Sequence, residues 1–279
     1  ASVTCSRRLR LLVLPVTLAL GVPCASGVVP PKDGTAPLPA PAAQEVRDDR
    51  AGAFTALNPL AGVAPGNRDA RATAGPLDLT TLSGSFDYPV LPGLFQDSGS
   101  APHTAADLEA QLFQDGYTAG GRPGSLRDYF DEASYDAYVV GGTVFDWVTV
   151  PQDAATYFGD DGCHGLCRSE TNSAGAFVKD VLDLNDAAID FSQYDNDGPD
   201  GLPNSGDDDG VVDLLVVLQP NAGGECGATE LWSHLGRYSD WFPSSYTTDD
   251  AADGGGQILI EDYVLVPAVA CDGTSLLTI

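Results

Sequence analysis

A run of aspartates and glycines in the second half of the chain most strongly limits how this protein can fold. The stretch Asp195–Pro220 reads DNDGPDGLPNSGDDDGVVDLLVVLQP, and its first nineteen residues contain seven aspartates. Carboxylates at this density repel one another unless a cation gathers them, and the interspersed glycines let the backbone turn its carbonyl oxygens inward. The apolar run Leu214–Leu218, a candidate buried strand, follows directly. Since unpaired charges are costly to bury, the acidic stretch must either stay in water or bind a cation.

The spacing of these aspartates favours calcium. Hard oxygen ligands, about six to eight around one ion, suit Ca²⁺ better than Zn²⁺. Acidic residues alternate with other residues, as they do in calcium loops, in two short patterns: Asp-x-Asp-Gly-x-Asp from Asp195 and Asp-x-Asp-Gly-x-x-Asp from Asp207. The stretch is not an EF-hand, because no glutamate stands at the twelfth position of the loop. A solvated acidic turn before a buried strand is the alternative. The predicted calcium ligands are Asp195, Asp197, Asp200, Asp207, Asp209 and Asp213.

The overall charge excludes one class of partner. Lysine and arginine number 13 against 40 aspartates and glutamates, which gives a net charge of −27. Such a chain repels phosphate backbones, so we expect no nucleic-acid partner. The same balance suits a protein that binds cations.

The N-terminus has the pattern of an export signal over residues 1–27. Three arginines between positions 7 and 10 precede a short apolar core, Leu11–Val22, and small residues precede a cleavage point after Gly27. Twelve residues are too few to span a bilayer, so we expect a secreted protein without a transmembrane segment. A lipoprotein anchor on Cys24 is the weaker alternative, because Pro23 stands directly before it, where such a signal needs a small residue.

Composition then divides the remaining chain in two. Residues 28–83 are rich in Ala, Pro, Gly and Asp, and Phe54 is their only aromatic residue. A segment so poor in large apolar groups cannot offset its ordering entropy, so we interpret it as a pro-segment or disordered linker. The folded domain is expected to cover residues 84–279.

The cysteines indicate disulfides. After removal of the signal four remain, an even number, which is typical of exported proteins. Four cysteines allow three pairings, and we expect Cys163 with Cys167 and Cys226 with Cys271. The group Cys163-His164-x-x-Cys167 could instead hold a metal, although a fourth ligand is missing nearby.

Hydrophobic periodicity predicts three helices in the folded domain. Two begin at capping boxes, Thr104 with Asp107 and Ser125 with Asp128. The third is predicted over residues 174–189, and its apolar face consists of Phe177, Val181, Leu184 and Ala188. His103, just before the first cap, is expected to lie exposed in a loop.

Strand signals alternate with these helices. Phe86–Phe95 is strand-like, and its prolines, Pro89 and Pro92, predict an edge strand or a broken one. Further strands are predicted at Tyr138–Val140, Thr143–Val150 and Leu214–Leu218, with a strand pair over Gln257–Val266. The pattern indicates an α+β fold.

Several stretches together resemble one family. They are GSLRDYFDEASYDAY (Gly124–Tyr138), GGTVFDWVTVP (Gly141–Pro151), the acidic segment Asp190–Asp213 and LWSH (Leu231–His234). In this order they are similar to secreted bacterial metallopeptidases of the immune inhibitor A type, peptidase family M6. The resemblance covers roughly residues 84–279.

This resemblance implies a fold and an activity. The fold is zincin-like, with a mixed twisted sheet, a backing helix and an active-site helix that carries His-Glu-x-x-His. Histidines four residues apart on one helix face bind zinc, and the glutamate acts as general base on zinc-bound water. The implied function is that of a monomeric, calcium-stabilised zinc endopeptidase that hydrolyses peptide bonds in proteins or peptides.

The catalytic motif itself is missing from these residues. The histidines are His103, His164 and His234, none is followed by Glu, and no two are four residues apart. We therefore expect that the domain is cut before its active-site helix, that zinc ligands lie beyond residue 279, and that this stretch alone is inactive. We assign no catalytic residue, and we expect His234 to be structural rather than substrate-orienting.

Two other functions stay open. The acidic loop could serve a non-enzymatic calcium-dependent binding module, although one loop rather than a tandem array is present. A pseudoenzyme that kept the scaffold without the zinc helix is the other. A serine hydrolase is disfavoured, because no G-x-S-x-G follows a strand.

Overall fold

The computed structural model describes residues 84–159, 162–167, 169–227 and 229–273. The predicted signal (1–27) and pro-segment (28–83) therefore lie outside the described residues, and their boundaries stay predictions. No helix in the described ranges is both long enough and apolar enough to cross a membrane.

A mixed sheet forms the centre of the described domain. Its main path runs β2-β1-β4-β8-β5, the short β3 pairs with β1, and all of these pairings are parallel except that of β5 with β8. A separate antiparallel pair is formed by β6 and β7. The strands are β1 (Gly84–Leu94), β2 (Tyr138–Val144), β3 (Val148–Thr149), β4 (Leu215–Gln219), β5 (His234–Arg237), β6 (Tyr246–Ala251), β7 (Gln257–Ile260) and β8 (Asp262–Pro267).

Within the described ranges, four α-helices accompany the sheet: α1 (Ala105–Phe113), α2 (Leu126–Ser134), α3 (Ala154–Phe158) and α4 (Ala174–Asn185). Both predicted capping boxes are confirmed, since Thr104 and Ser125 each accept a hydrogen bond from the backbone of the aspartate three residues on, and that carboxylate bonds back. The mixed sheet with helices confirms the coarser part of the prediction, a domain that combines strands and helices. Its zincin-like identity stays a prediction.

The helices cover opposite faces of the sheet. Phe177 and Val181 of α4 pack in one cluster with Leu215 and Val217 of β4. Leu218, whose side chain points the other way, packs with residues of α1. Alternation along a strand explains this division, because successive side chains point to opposite faces.

The predicted apolar face of the third helix is partly wrong. Phe177 and Val181 are fully buried, but Leu184 is 49% exposed. The buried stripe continues instead through Leu182 and Asn185, and the helix gives way to a 3₁₀ turn at Asp186. After Val181, helical spacing allows the buried face to continue either through Leu184 or through Leu182 and Asn185, and only the packing against the sheet decides between them.

The expectation that prolines confine β1 to an edge is also wrong. This strand lies between β2 and β4. The carbonyl of Val90 accepts a hydrogen bond from the N–H of Phe145, so the backbone groups of Val90 point toward β2. The nitrogen of the preceding residue, Pro89, therefore points toward β4, but the pairing of β1 with β4 begins only at Val90. Pro92 faces the gap where β2 has ended and β3 has not begun. Neither missing N–H removes a ladder hydrogen bond.

Two further strand predictions need correction. The chain does not break at Gly141-Gly142, because β2 runs through both glycines. A Cβ on Gly142 would lie 2.2 Å from the carbonyl oxygen of Tyr88, so the close approach of β1 explains the glycine. The segment Gln257–Val266 does form two strands, but β7 pairs with β6 while β8 joins the main sheet.

Candidate metal centre

The acidic loop connects a 3₁₀ turn at Phe191–Tyr194 to the central strand β4. Its two ends meet, since the N–H of Asp213 donates to the carbonyl of Tyr194 at 2.9 Å. Within the loop, the N–H of Asn204 donates to the carbonyl of Asp195 at 2.7 Å. The first and last aspartates of the predicted set are therefore brought side by side by the backbone.

Three of the six predicted ligands converge. One carboxylate oxygen each from Asp195, Asp197 and Asp213 lies within 4.8 Å of the others. Asp195 is only 1% exposed and Asp213 only 7%. Among the described residues, no other group of three or more His, Cys, Asp or Glu is arranged in this way.

The two buried carboxylates are each only half satisfied. One oxygen of Asp195 accepts from the N–H of Gly210 at 3.1 Å, and one oxygen of Asp213 accepts from the N–H of Asn196 at 3.4 Å. The remaining oxygens, Oδ1 of Asp195 and Oδ2 of Asp213, have no hydrogen-bond partner within the described part of the chain. An unpaired buried carboxylate is strongly unfavourable, and a bound cation would remove that penalty for both.

The pKa values of Asp195, Asp197 and Asp213 are raised because their charges are buried close together. Burial, followed by repulsion from the neighbouring aspartates, raises the pKa of Asp195 to about 7. Burial also raises the pKa of Asp213 to about 8, against the opposing hydrogen bond from Asn196. The pKa of Asp197 shifts upward too, first by burial and then by the charge of Asp208. Without a cation, Asp195 and Asp213 therefore hold protons near neutral pH.

The other three predicted ligands lie outside this group. Asp207 accepts from the N–H of Asp200 at 3.1 Å, and Asp200 accepts from the N–H of Leu202 at 2.8 Å, so both shape exposed turns. Asp209 accepts from the N–H of Val211 at 2.9 Å, and burial raises its pKa to about 6. Local turn formation, rather than convergence on one point, occupies these carboxylates.

Two further residues of the loop, Asn196 and Asp208, were not among the predicted ligands. Both oxygens of Asp208 accept backbone hydrogen bonds, from Gly198 at 2.7 Å and from Ser205 at 2.6 Å. Asn196 has a buried Oδ1 without a partner in the described ranges, next to the candidate centre. Its position between two predicted ligands was the available signal, because an amide oxygen is also a calcium ligand.

His234 is structural, as expected. Its Nδ1 lies 2.8 Å from the carbonyl of Trp232, which can only accept, so Nδ1 carries the proton. Its Nε2 then accepts from the hydroxyl of Tyr263 at 3.0 Å, and Tyr263 in turn accepts from the indole N–H of Trp241 at 2.6 Å. Burial lowers the pKa of His234 to about 4, so the ring stays neutral.

Both predicted disulfides are confirmed. Cys163 is bonded to Cys167, and Cys226 to Cys271. The alternative that the first pair holds a metal together with His164 is therefore wrong. The imidazole Nδ1 of His164 lies 3.1 Å from the carbonyl oxygen of Glu230. His103 is half-buried rather than exposed, and its carbonyl accepts from the indole of Trp147.

A catalytic zinc does not fit the described residues. Among the residues that the structure describes, the only group of three or more potential ligands is the three-aspartate centre, which contains no histidine. His234 is fully engaged with Trp232 and Tyr263, and His164 lies in the disulfide loop. No catalytic role is therefore assigned to any residue in the described ranges.

Comparisons with known proteins place these features in context. A family sequence model described as immune inhibitor A peptidase M6, catalytic domain, matches residues 103–276. The chain is 30% identical to immune inhibitor A of Bacillus thuringiensis subsp. alesti over 158 residues, which cover 53% of this chain and 23% of that protein. It is 29% identical to the pre-pro-metalloprotease PrtV of Vibrio cholerae serotype O1 strain M66-2 over 178 residues, 58% of this chain and 19% of that protein. The chain thus spans about a fifth of the length of these relatives.

Proposed function

Because the chain belongs to the immune inhibitor A family of M6 peptidases, we propose that it is part of a secreted zinc endopeptidase that hydrolyses peptide bonds in proteins. The match of the catalytic-domain model to residues 103–276 carries this proposal. Two disulfides within the described residues support export, since such bonds persist in oxidising compartments.

The second part of the proposal is that the acidic loop holds a structural calcium ion. Asp195, Asp197 and Asp213 would bind it through oxygen atoms, which suit calcium better than zinc. The support is the pair of buried carboxylate oxygens that lack partners in the described chain. Asn196 and the other predicted ligands, Asp200, Asp207 and Asp209, would enter only if the loop rearranges around the ion.

A cation at this position would fasten several elements at once. The side-chain amide of Asn196 donates to the carbonyl of Ser85 at the start of β1, and that of Asn204 donates to the carbonyl of Ala251 in β6. Val211 bridges to Leu259 in β7. Since the loop also leads into β4, calcium bound only by the folded state would stabilise the whole domain by mass action.

The zinc of such an enzyme requires ligands that residues 1–279 do not carry as a His-Glu-x-x-His motif. We propose that the complete protein supplies them, and that this stretch alone is inactive. The role we assign to the described residues is to build and stabilise the scaffold.

One experiment tests the peptidase part. Protein purified from its natural source is compared with the recombinant 279-residue chain for zinc content by mass spectrometry and for casein hydrolysis with and without 1,10-phenanthroline. We expect about one zinc and phenanthroline-sensitive hydrolysis only in the natural protein. A natural protein that contains calcium but neither zinc nor activity would overturn the proposal in favour of a calcium-dependent binding module.

A further inference from the structure

Helix α2 has an apolar side that the rest of the described domain does not cover. Leu126 and Phe130 pack half-buried against a cluster of side chains from β1 and β2, but Tyr129 is 64% exposed, and no residue of this helix is buried. Helix α4, by contrast, buries eight residues. A single exposed aromatic side chain is ordinary on a protein surface, but a second one lies at the end of the same helix.

This second exposed ring belongs to Tyr135, which ends α2 in the left-handed backbone region. Its φ is 56°, and the N–H of the next residue, Asp136, donates to the carbonyl of Asp131 at 2.8 Å. Glycine is the usual residue at such a position, because a side chain there is strained. The side chain of Tyr135 is 92% exposed, so packing within the described domain does not explain why a tyrosine stands here.

A carboxylate accompanies each of the two tyrosines. Glu132 lies three residues after Tyr129 on the same side of the helix, and Asp136 directly follows Tyr135. Both acids are exposed, and neither forms an ion pair among the described residues. An aromatic ring beside a carboxylate suits a guanidinium group, which stacks on the ring and pairs with the acid. We call these four residues the α2 face.

The segment before the described domain carries the cations that the α2 face lacks. Residues 28–83 contain five lysines and arginines, as many as residues 84–279, and only six of the acids. Four of the five are arginines in two similar pairs, Arg47 with Arg50 in RDDRA and Arg68 with Arg71 in RDARA. Because the domain is strongly acidic, it attracts these pairs more than any other part of the segment.

The point where the segment enters the domain favours the second pair. The N–H of Gly84 donates to the carbonyl of Ala137 at 2.8 Å, so the chain arrives directly beside the end of α2. Twelve residues lie between Arg71 and Gly84, compared with 33 between Arg50 and Gly84. Twelve residues reach at most about 45 Å and give a roughly millimolar effective concentration, which the longer connection lowers about fivefold.

We propose that Arg68 and Arg71 dock on the α2 face, with one guanidinium group at each pair of tyrosine and carboxylate. Two arginines three residues apart in an extended chain are separated by about 10 Å, and the six positions from Tyr129 to Tyr135 cover about 9 Å along the helix axis. The two spacings therefore match. Docking ties the N-terminal segment to the domain at a second point besides Gly84.

Other occupants fit the α2 face less well. An anion is repelled by the two carboxylates, and an apolar peptide would leave them unpaired. A lysine pairs with the acids but does not stack as a planar guanidinium does. Arg47 and Arg50 have the same chemistry as the proposed pair at a longer distance, so they serve as an internal control.

Trypsin tests the proposal, because the two arginine pairs offer it nearly identical sites. Arg50 and Arg71 are both followed by alanine. The 279-residue chain is digested at about 50 mM salt, and the large products that begin at Ala51 and Ala72 are quantified by mass spectrometry early in the reaction. We expect cleavage after Arg71 to be at least about fivefold slower than cleavage after Arg50. The difference should shrink in about 1 M salt, because salt screens the ion pairs.

Variants assign the protection to the α2 face. Tyr129→Ser together with Tyr135→Asn should make the two cleavage rates equal. Both side chains are exposed, and asparagine tolerates the left-handed backbone, so the fold is kept. The matched control is Leu184→Ser together with Leu202→Ser, which removes two other exposed apolar side chains and should leave the protection unchanged. Glu132→Gln together with Asp136→Asn should lower the protection at about 50 mM salt.

Three results would overturn the inference. Equal cleavage after Arg50 and Arg71 in the unmodified chain would mean that the second pair is not docked. Protection that survives the double tyrosine variant would place the arginines elsewhere on the domain. Protection that increases with protein concentration would mean that the arginines come from a second copy of the chain. None of these results depends on zinc or on peptidase activity, so this inference can fail while the proposed function stands.

Discussion

Two buried polar clusters of this domain solve the same physical problem in opposite ways. In the His234 cluster, each hydrogen bond leads to the next, from Trp241 to Tyr263 to His234 to the carbonyl of Trp232. In the acidic loop, two buried carboxylates each retain an oxygen without a partner in the described chain. The first cluster is complete within the described residues, whereas the second lacks partners there, which is the basis of the calcium site that we propose. Burial alone therefore does not distinguish a structural cluster from a binding site; hydrogen-bond satisfaction does.

Calcium removal should produce the largest difference between the two clusters. At a thousandfold excess over its dissociation constant, a ligand that binds only the folded state contributes about 4.1 kcal/mol. We expect chelation with EDTA to lower the melting temperature of the recombinant chain by several degrees, measured by circular dichroism. An unchanged melting curve after exhaustive chelation would refute the calcium site.

The effect of calcium should also grow with pH. Without the ion, the folded-state pKa values of Asp195 (about 7) and Asp213 (about 8) exceed the ordinary value of 3.8, so their contribution favours folding at low pH and is lost as pH rises through 7 and 8. Calcium replaces those protons. The melting-temperature difference between calcium and EDTA should therefore be larger at pH 8 than at pH 6.

Acidification should weaken the His234 cluster. The folded-state pKa of about 4 lies below the ordinary value of 6.5, so its stabilising contribution is complete above pH 6.5 and is lost as pH falls towards 4. The loss amounts to up to about 3 kcal/mol. His234→Gln should flatten the pH dependence of the free energy of unfolding, measured with urea between pH 7 and 4.

Removal of one hydroxyl should damage the satisfied cluster. Tyr263→Phe leaves the indole N–H of Trp241 and Nε2 of His234 without the partner they share, which should lower the free energy of unfolding by about 2 kcal/mol. Tyr129→Phe, on a side chain that is 64% exposed, serves as the control and should change it by less than about 0.5 kcal/mol. Equal effects in the two variants would mean that the cluster is not stabilised by its hydrogen bonds.

Neutralisation of one carboxylate should have the smallest effect and the opposite sign. In EDTA, Asp213→Asn removes a buried charge that its neighbours repel, so we expect stabilisation by about 1 kcal/mol at pH 8. In calcium the same variant should lose most of the metal-induced increase in melting temperature. Asp115→Asn, at an exposed position, should respond to calcium as the unmodified chain does.

The sequence predicted the local features of the fold well. Thr104 with Asp107 and Ser125 with Asp128 form capping boxes because the interacting groups are three residues apart. Spacing also identified the start of α4 and the apolar strand β4. The failures concern neighbours in space, since nothing local reveals that β1 lies inside the sheet or that β7 and β8 pair with different strands.

The candidate centre shows the same division. The density of aspartates in the sequence indicated the loop. It did not indicate that Asp195, Asp197 and Asp213 converge. Nor did it indicate that Asp200 and Asp207 shape turns instead.

By itself the sequence determined the family, the acidic loop, the helix caps and a supply of cysteines, because each depends on residue types at short spacing. Tertiary structure alone decided which carboxylates meet, which polar atoms lack partners among the described residues, and which strands pair with one another. Those properties depend on the distances between segments remote in sequence and on how deeply their side chains are buried. A side chain is desolvated only once the chain has folded around it.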